Sequence, residues 1–138
     1  MNDLKRFTEA QENDFETALA EIKRGRKQSH WMWYIFPQIA GLGFSQMSKF
    51  YAIKDSGEAE SYLAHSILGK RLIEISNALL EVEGKTANQI FGSPDDVKLK
   101  SSMTLFGALD ETNPVFQKVL DKYFDGAKDA KTLELIDV

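Results

Sequence analysis

Ser29-His30-Trp31-Met32-Trp33-Tyr34-Ile35-Phe36-Pro37-Gln38-Ile39-Ala40-Gly41-Leu42-Gly43-Phe44-Ser45 holds both tryptophans of the chain, one of its two histidines and two closely spaced glycines. Ser29 is placed to N-cap a short helix through Phe36, its side chain accepting from a backbone N–H two or three residues on. Pro37 then argues for a stop. On such a helix Trp33 and Phe36 share one face and Trp31 and Tyr34 another, so no side is polar. A helix with rings all round belongs inside the molecule, with other helices wrapped around it. Gly41 and Gly43 follow as a loop free to take positive φ, and Ser45 to Tyr51 suits one or two further helical turns.

Outward from this stretch the chain reads as helix throughout. Leu4, Phe7 and Ala10 mark a short helical face. From Asp14, Phe15, Ala18, Leu19 and Ile22 mark a second helix ending at Gly25, with Lys23 and Arg24 in its last turn. Asp55 with Glu58 makes a capping-box pattern for a helix from Ser56 to about Ala64. Leu68, Leu72, Ile75, Leu79 and Val82 give the longest periodic segment, stopping at Gly84. Thr86 with Gln89 is a second capping box, for a turn ending near Phe91-Gly92. Ser93-Pro94-Asp95-Asp96 and Asn113-Pro114 open two more helices. Gly126 ends the last of these, and Asp129 caps a final turn through Ile136. Alternating runs rich in β-branched residues are missing. The expected fold is all-α: one domain over 1–138, with about seven helices packed around the aromatic-rich one.

Composition narrows the function classes. A chain of 138 residues can bury roughly two-thirds of its unfolded surface in one core. Hydrophobic residues at 43% and aromatics at 11% are those of a globular chain, not a disordered one. A net charge of -4 repels nucleic acid and anionic membranes, and neither is expected as a partner. The absence of cysteine excludes disulfides and thiolate zinc sites. With no apolar leader and no long apolar run, a soluble cytoplasmic protein is expected, as a monomer. His30 and His65 lie outside any metal-binding pattern, so no metal and no cofactor is expected.

Several constellations carry both an ordinary and a functional reading. Gly41-Leu42-Gly43-Phe44-Ser45-Gln46 half-matches a dinucleotide fingerprint without its last glycine or a preceding strand. Gly43-Phe44-Ser45-Gln46-Met47 starts like a nucleophile elbow and ends in methionine. Ser45 is better read as a helix cap. The aromatic cluster is either packed core or the wall of a pocket for a flat ring. Lys23, Arg24, Arg26 and Lys27 are either solvated helix-end charges or an anion trap beside a helix start. Ser101, Ser102 and Thr104 are mid-helix hydroxyls of the kind that bond back to the preceding turn.

Asp3-Leu4, Gly25-Arg26-Lys27, Ser29-His30-Trp31-Met32-Trp33, Phe36-Pro37-Gln38, Gly41-Leu42-Gly43 and Ser101-Ser102-Met103-Thr104-Leu105-Phe106 together resemble the bacterial family termed domain of unknown function 1810. The resemblance spans nearly the whole chain and implies a compact, mainly helical cytosolic protein of unassigned activity. Some members are labelled calpastatin, yet such inhibitors are disordered and poor in aromatics. Phe36-Pro37 ahead of Ser45, and Met103 to Phe106 ahead of Leu120, also resemble the helical NADAR superfamily, which includes N-glycosidases. Its serine-x-glutamate-histidine string falls on Ser45-Gln46-Met47-Ser48, where the acid is missing.

The leading expectation is a small-molecule site, for an anionic or nucleotide-like ligand. Trp31, Trp33, Gly41 and Gly43 would wall it, with His30, Gln38 and Ser45 as polar groups. Arg26, Lys27 or Lys98 would meet the anionic portion, with Ser101 and Ser102 nearby. His30 is the candidate for catalysis, having an ordinary pKa suited to proton transfer near neutrality. The alternatives are a non-enzymatic interaction module and a NADAR-like N-glycosidase.

Overall fold

The computed structural model describes residues 4–136, in which nine α-helices and no strand are present. They are α1 (Lys5–Lys23), α2 (Met32–Ile35), α3 (Gln46–Phe50), α4 (Ser56–Ala64), α5 (Leu68–Glu81), α6 (Ala87–Phe91), α7 (Asp95–Gly107), α8 (Val115–Phe124) and α9 (Ala130–Ile136). The all-α expectation holds, with nine helices where about seven were counted. α8 packs on both α5 and α7, α1 lies along α5, and α4 spans α5 and α7. One hydrophobic cluster collects side chains from every described helix except α3.

Three local readings change. The two helices expected over Leu4 to Gly25 are one, because buried Gln11 continues the inward stripe between Phe7 and Phe15. Its amide donates to the Tyr34 carbonyl at 2.7 Å and to the Tyr62 hydroxyl at 2.9 Å, which removes the penalty on an unpaired polar group. The aromatic helix is a single turn, and Ser29 does not cap it. Ser29 instead donates to Glu21. Likewise α7 starts after Pro94 without a cap from Ser93, and the Ser93–Pro94 peptide is cis.

Most other end signals act as read, although Glu58 accepts from the Lys54 N–H instead of closing the expected capping box on Asp55. Gly25 takes φ +78° past the end of α1, with Gly25 N–H donating to Ile22 and Arg26 N–H to Glu21, a Schellman closure. Asp55, Thr86 and Asp129 each accept from a backbone N–H three residues on, at 2.9, 3.1 and 3.0 Å. The last carbonyls of α5 are met from α8, where Lys122 donates to Leu80 and Val82 and Tyr123 to Leu79.

One non-helical pairing positions the site. Ile39 and Ile53 form an isolated parallel bridge, with Ala40 N–H on the Ile53 carbonyl and Ile53 N–H on the Gln38 carbonyl, both at 2.8 Å. Residues 40–52 are therefore a loop closed at its base, carrying Gly41, Gly43 and α3. Arg6 holds this loop to α1, donating to the Phe50 and Ala52 carbonyls at 2.8 Å and pairing with Glu58 at 3.2 Å.

Candidate functional site: two joined hollows beside Trp33

The two tryptophans part company. Trp31 is 1% exposed, edge-on to Phe91, with its indole N–H on Glu21 Oε1 at 2.9 Å. Glu21 is the anchor of this turn: its buried carboxylate also accepts from the Gln28 and Ser29 N–H groups and from the Ser29 hydroxyl. Burial pushes its pKa up, but these hydrogen bonds, led by Ser29, outweigh that and hold it at about 2. Trp31 is thus core.

Trp33, half-buried, walls a hollow of about 230 Å³ with Gln38, Gly41, Gly43, Lys49 and Tyr51. Burial raises the Tyr51 phenol above its ordinary range, against the opposing pull of Arg6, so it keeps its proton at neutral pH. No carboxylate lies on this wall among the described residues. A second hollow of about 220 Å³ lies alongside, walled by Leu42, Val97, Lys98, Ser101 and Asp129. Gln38, Gly43 and Ser48 border both, so the two hollows join across the glycine loop. The Lys98 ammonium sits 5.7 Å from the Trp33 ring centroid and 3.6 Å from Asp95.

Local sequence explains the arrangement. Pro37 and the bridge at Ile39 turn the chain out of α2, which leaves Trp33 at the mouth while Phe36 goes inward. Ser45 caps α3 by accepting from the Ser48 N–H at 3.1 Å. A Cβ on Gly43 would collide with Ser48, so this close approach of loop and helix needs a glycine. Gly41, at φ +105°, faces the Leu135 side chain of α9.

Of the residues expected to form one site, Trp33, Gln38, Gly41, Gly43, Lys98 and Ser101 are brought together. The others are not. His30 is exposed and borders neither hollow; its carbonyl accepts from the Tyr34 hydroxyl. Ser45 is exposed and occupied as a cap. Ser101 bonds back to the Val97 carbonyl at 3.2 Å, and Ser102 is wholly buried, its hydroxyl unpartnered among the described residues. Arg26 and Lys27 border a separate hollow, under α6. Ser48, Lys49 and Tyr51 were missed; only the bridge at Ile39 and Ile53, which no local pattern announces, folds them over Trp33. Among the described residues no three of His, Asp and Glu gather as a metal site. None of their helices is long and apolar enough to cross a membrane.

Fold and site together define a class: a small all-helical protein with an aromatic-edged surface hollow held open by a bridged glycine loop. The chain belongs to the family described as Protein of unknown function (DUF1810), whose model matches residues 1–136. It is similar to the conserved hypothetical protein Rv1873 from Mycobacterium tuberculosis, solved by crystallography at 1.38 Å. The two are 44% identical, with a TM-score of 0.96, over 99% of this chain and 97% of that one. A comparison with curated proteins finds no match.

Proposed function

We propose that the chain binds a small molecule carrying a flat ring beside Trp33 and an anionic arm directed to Lys98. The observation that carries this reading is the shared border of Gln38, Gly43 and Ser48, which sets a ring-sized hollow next to one lined by a lysine and a serine. The Gln38 amide makes no hydrogen bond within the described residues, so both its donors and its acceptor are available to the edge of a heteroaromatic ring. Each hollow is smaller than the about 300–1,000 Å³ of a drug-sized site, which suits one ring and one acidic group better than an extended dinucleotide. Binding is favoured over hydrolysis of the N-glycosidase type because, among the described residues, the Trp33 wall has no carboxylate or histidine. Asp129, in the neighbouring hollow, is occupied by the Thr132 hydroxyl and N–H.

Thermal denaturation with nucleobases, nucleotides, ADP-ribose and flavin precursors tests the proposal. A ligand at a hundred times its Kd adds about 2.7 kcal/mol, a readily measured rise in midpoint. Trp33→Ala and Gln38→Ala should each remove the rise. The reading fails if no compound shifts the midpoint, or if the shift survives in Trp33→Ala.

A second reading rests on Phe44, Met47 and Phe50, which are 84%, 40% and 58% exposed on the loop and α3. Large apolar groups clustered at a surface mark a docking patch. If this patch mediates self-association, mass measured by sedimentation rises with concentration, and the double variant Phe44→Ser, Phe50→Ser stays monomeric.

A further inference from the structure

The cation run Arg24, Arg26, Lys27 has no place in the Trp33 site, yet the fold adds to it. Lys85, sixty residues along the chain, crosses Gly25 and donates from Nζ to the Gly25 carbonyl at 3.0 Å. Its aliphatic stem lies about 3.1 Å from where a Cβ on residue 25 would be, a close approach over the same glycine that ends α1. Backbone pairing of Lys27 N–H with the Ile90 carbonyl at 2.7 Å holds this segment against α6. The result is an open hollow of about 530 Å³ bordered by Arg26, Lys27, Lys85, Asn88 and Gln89, with no carboxylate on its wall among the described residues.

In a chain of net charge -4, three cations round one hollow make a local positive field that draws a small anion, offset only at the rim, where Asn88 donates to Asp96 at 3.2 Å. Lys27 is partly neutralised, at 3.0 Å from Asp95. Arg26 and Lys85 have no ion-pair partner among the described residues. Arg26 is exposed, and its planar guanidinium suits two oxygens of one tetrahedral anion, with Lys85 as the point charge beside it.

We propose that this hollow is a second binding site, for the phosphate or pyrophosphate group of a small phosphorylated molecule. It shares no lining residue with the hollows beside Trp33; Asp95, paired with both Lys27 and Lys98, is the one link, so variants at Arg26 and Lys85 test this site by itself. The overall negative charge disfavours a nucleic acid, whose long run of phosphates would meet the acidic remainder of the surface.

Titration of the ¹⁵N-labelled chain with inorganic pyrophosphate is the direct test. Saturable shifts are expected at the amides of residues 25–27 and 84–92, weakening as salt is raised. Arg26→Ala and Lys85→Met should each raise Kd about five- to tenfold, the range expected of one charge-assisted contact near the surface. Trp33→Ala should leave Kd unchanged. Arg26 is exposed, so its variant reports binding without a folding defect, and the melting midpoint of each variant is checked alongside. The proposal is overturned by an absence of saturable shifts at millimolar pyrophosphate, by wild-type affinity in both variants, or by a single-stranded oligonucleotide binding the same residues far more tightly than pyrophosphate does.

Discussion

Glu21 shows how one side chain organises a segment that hydrophobic periodicity leaves undefined. Its carboxylate receives two backbone N–H groups, a hydroxyl and an indole, all between Gln28 and Trp31. Because its folded pKa of about 2 lies below the ordinary 4.5, the proton binds preferentially to the unfolded chain. The associated stabilisation, about 3 kcal/mol, is therefore complete above pH 4.5 and lost as pH falls toward 2. Glu21→Gln should lower stability at neutral pH by about 2–3 kcal/mol. Denaturant melts from neutral to acid pH should then show the gap to wild type closing through that window. Neither Glu21 nor Gln11 is visible as core in the sequence, since both are polar types on an inward stripe and only tertiary partners make their burial tolerable.

Helix boundaries were the readable part of the chain, because caps and stop glycines act locally. Asp55, Thr86, Asp129 and Gly25 do in the fold what their neighbours predict. Ser29 fails for a reason no window contains, being claimed by Glu21, eight residues earlier, while α7 starts after Pro94 with no side-chain cap. Two helical glycines make the contrast measurable. A Cβ on Gly69 would run into the Leu63 carbonyl of α4, a backbone atom that has no way to move aside. Gly69→Ala should cost about 3 kcal/mol, seen as a large drop in the urea midpoint. At Gly107 a Cβ would meet only Phe116 Cβ, at an ordinary 3.5 Å. Gly107→Ala should be neutral or stabilising by up to about 1 kcal/mol in the same assay.

At the scale of the whole molecule the candidate site was half readable. Trp33, Gln38 and the two glycines are neighbours in sequence, and Lys98 with Ser101 arrives from α7. What no spacing reveals is the closing of residues 40–52 over Trp33, and with it the separation of Trp33 from Trp31. Arg6 ties that loop to α1 and α4, and it is the outer fastening of the Trp33 hollow. Arg6→Ala should lower global stability by about 2 kcal/mol, leaving Glu58 short of a partner. It should also speed amide exchange in residues 40–52 more than in α5 or α8.

The two indoles, two positions apart, offer a pair of built-in optical reporters. Trp31, sealed against Glu21 and Phe91, emits from a dry environment and is shielded from iodide until the chain unfolds. Trp33, at the mouth of its hollow, is open to quenching in the free protein. Iodide quenching of the emission therefore tests occupancy and unfolding apart: shielding of the quenchable fraction is the expected sign of a bound molecule under the proposed function, and a red shift of the remainder that of a lost core.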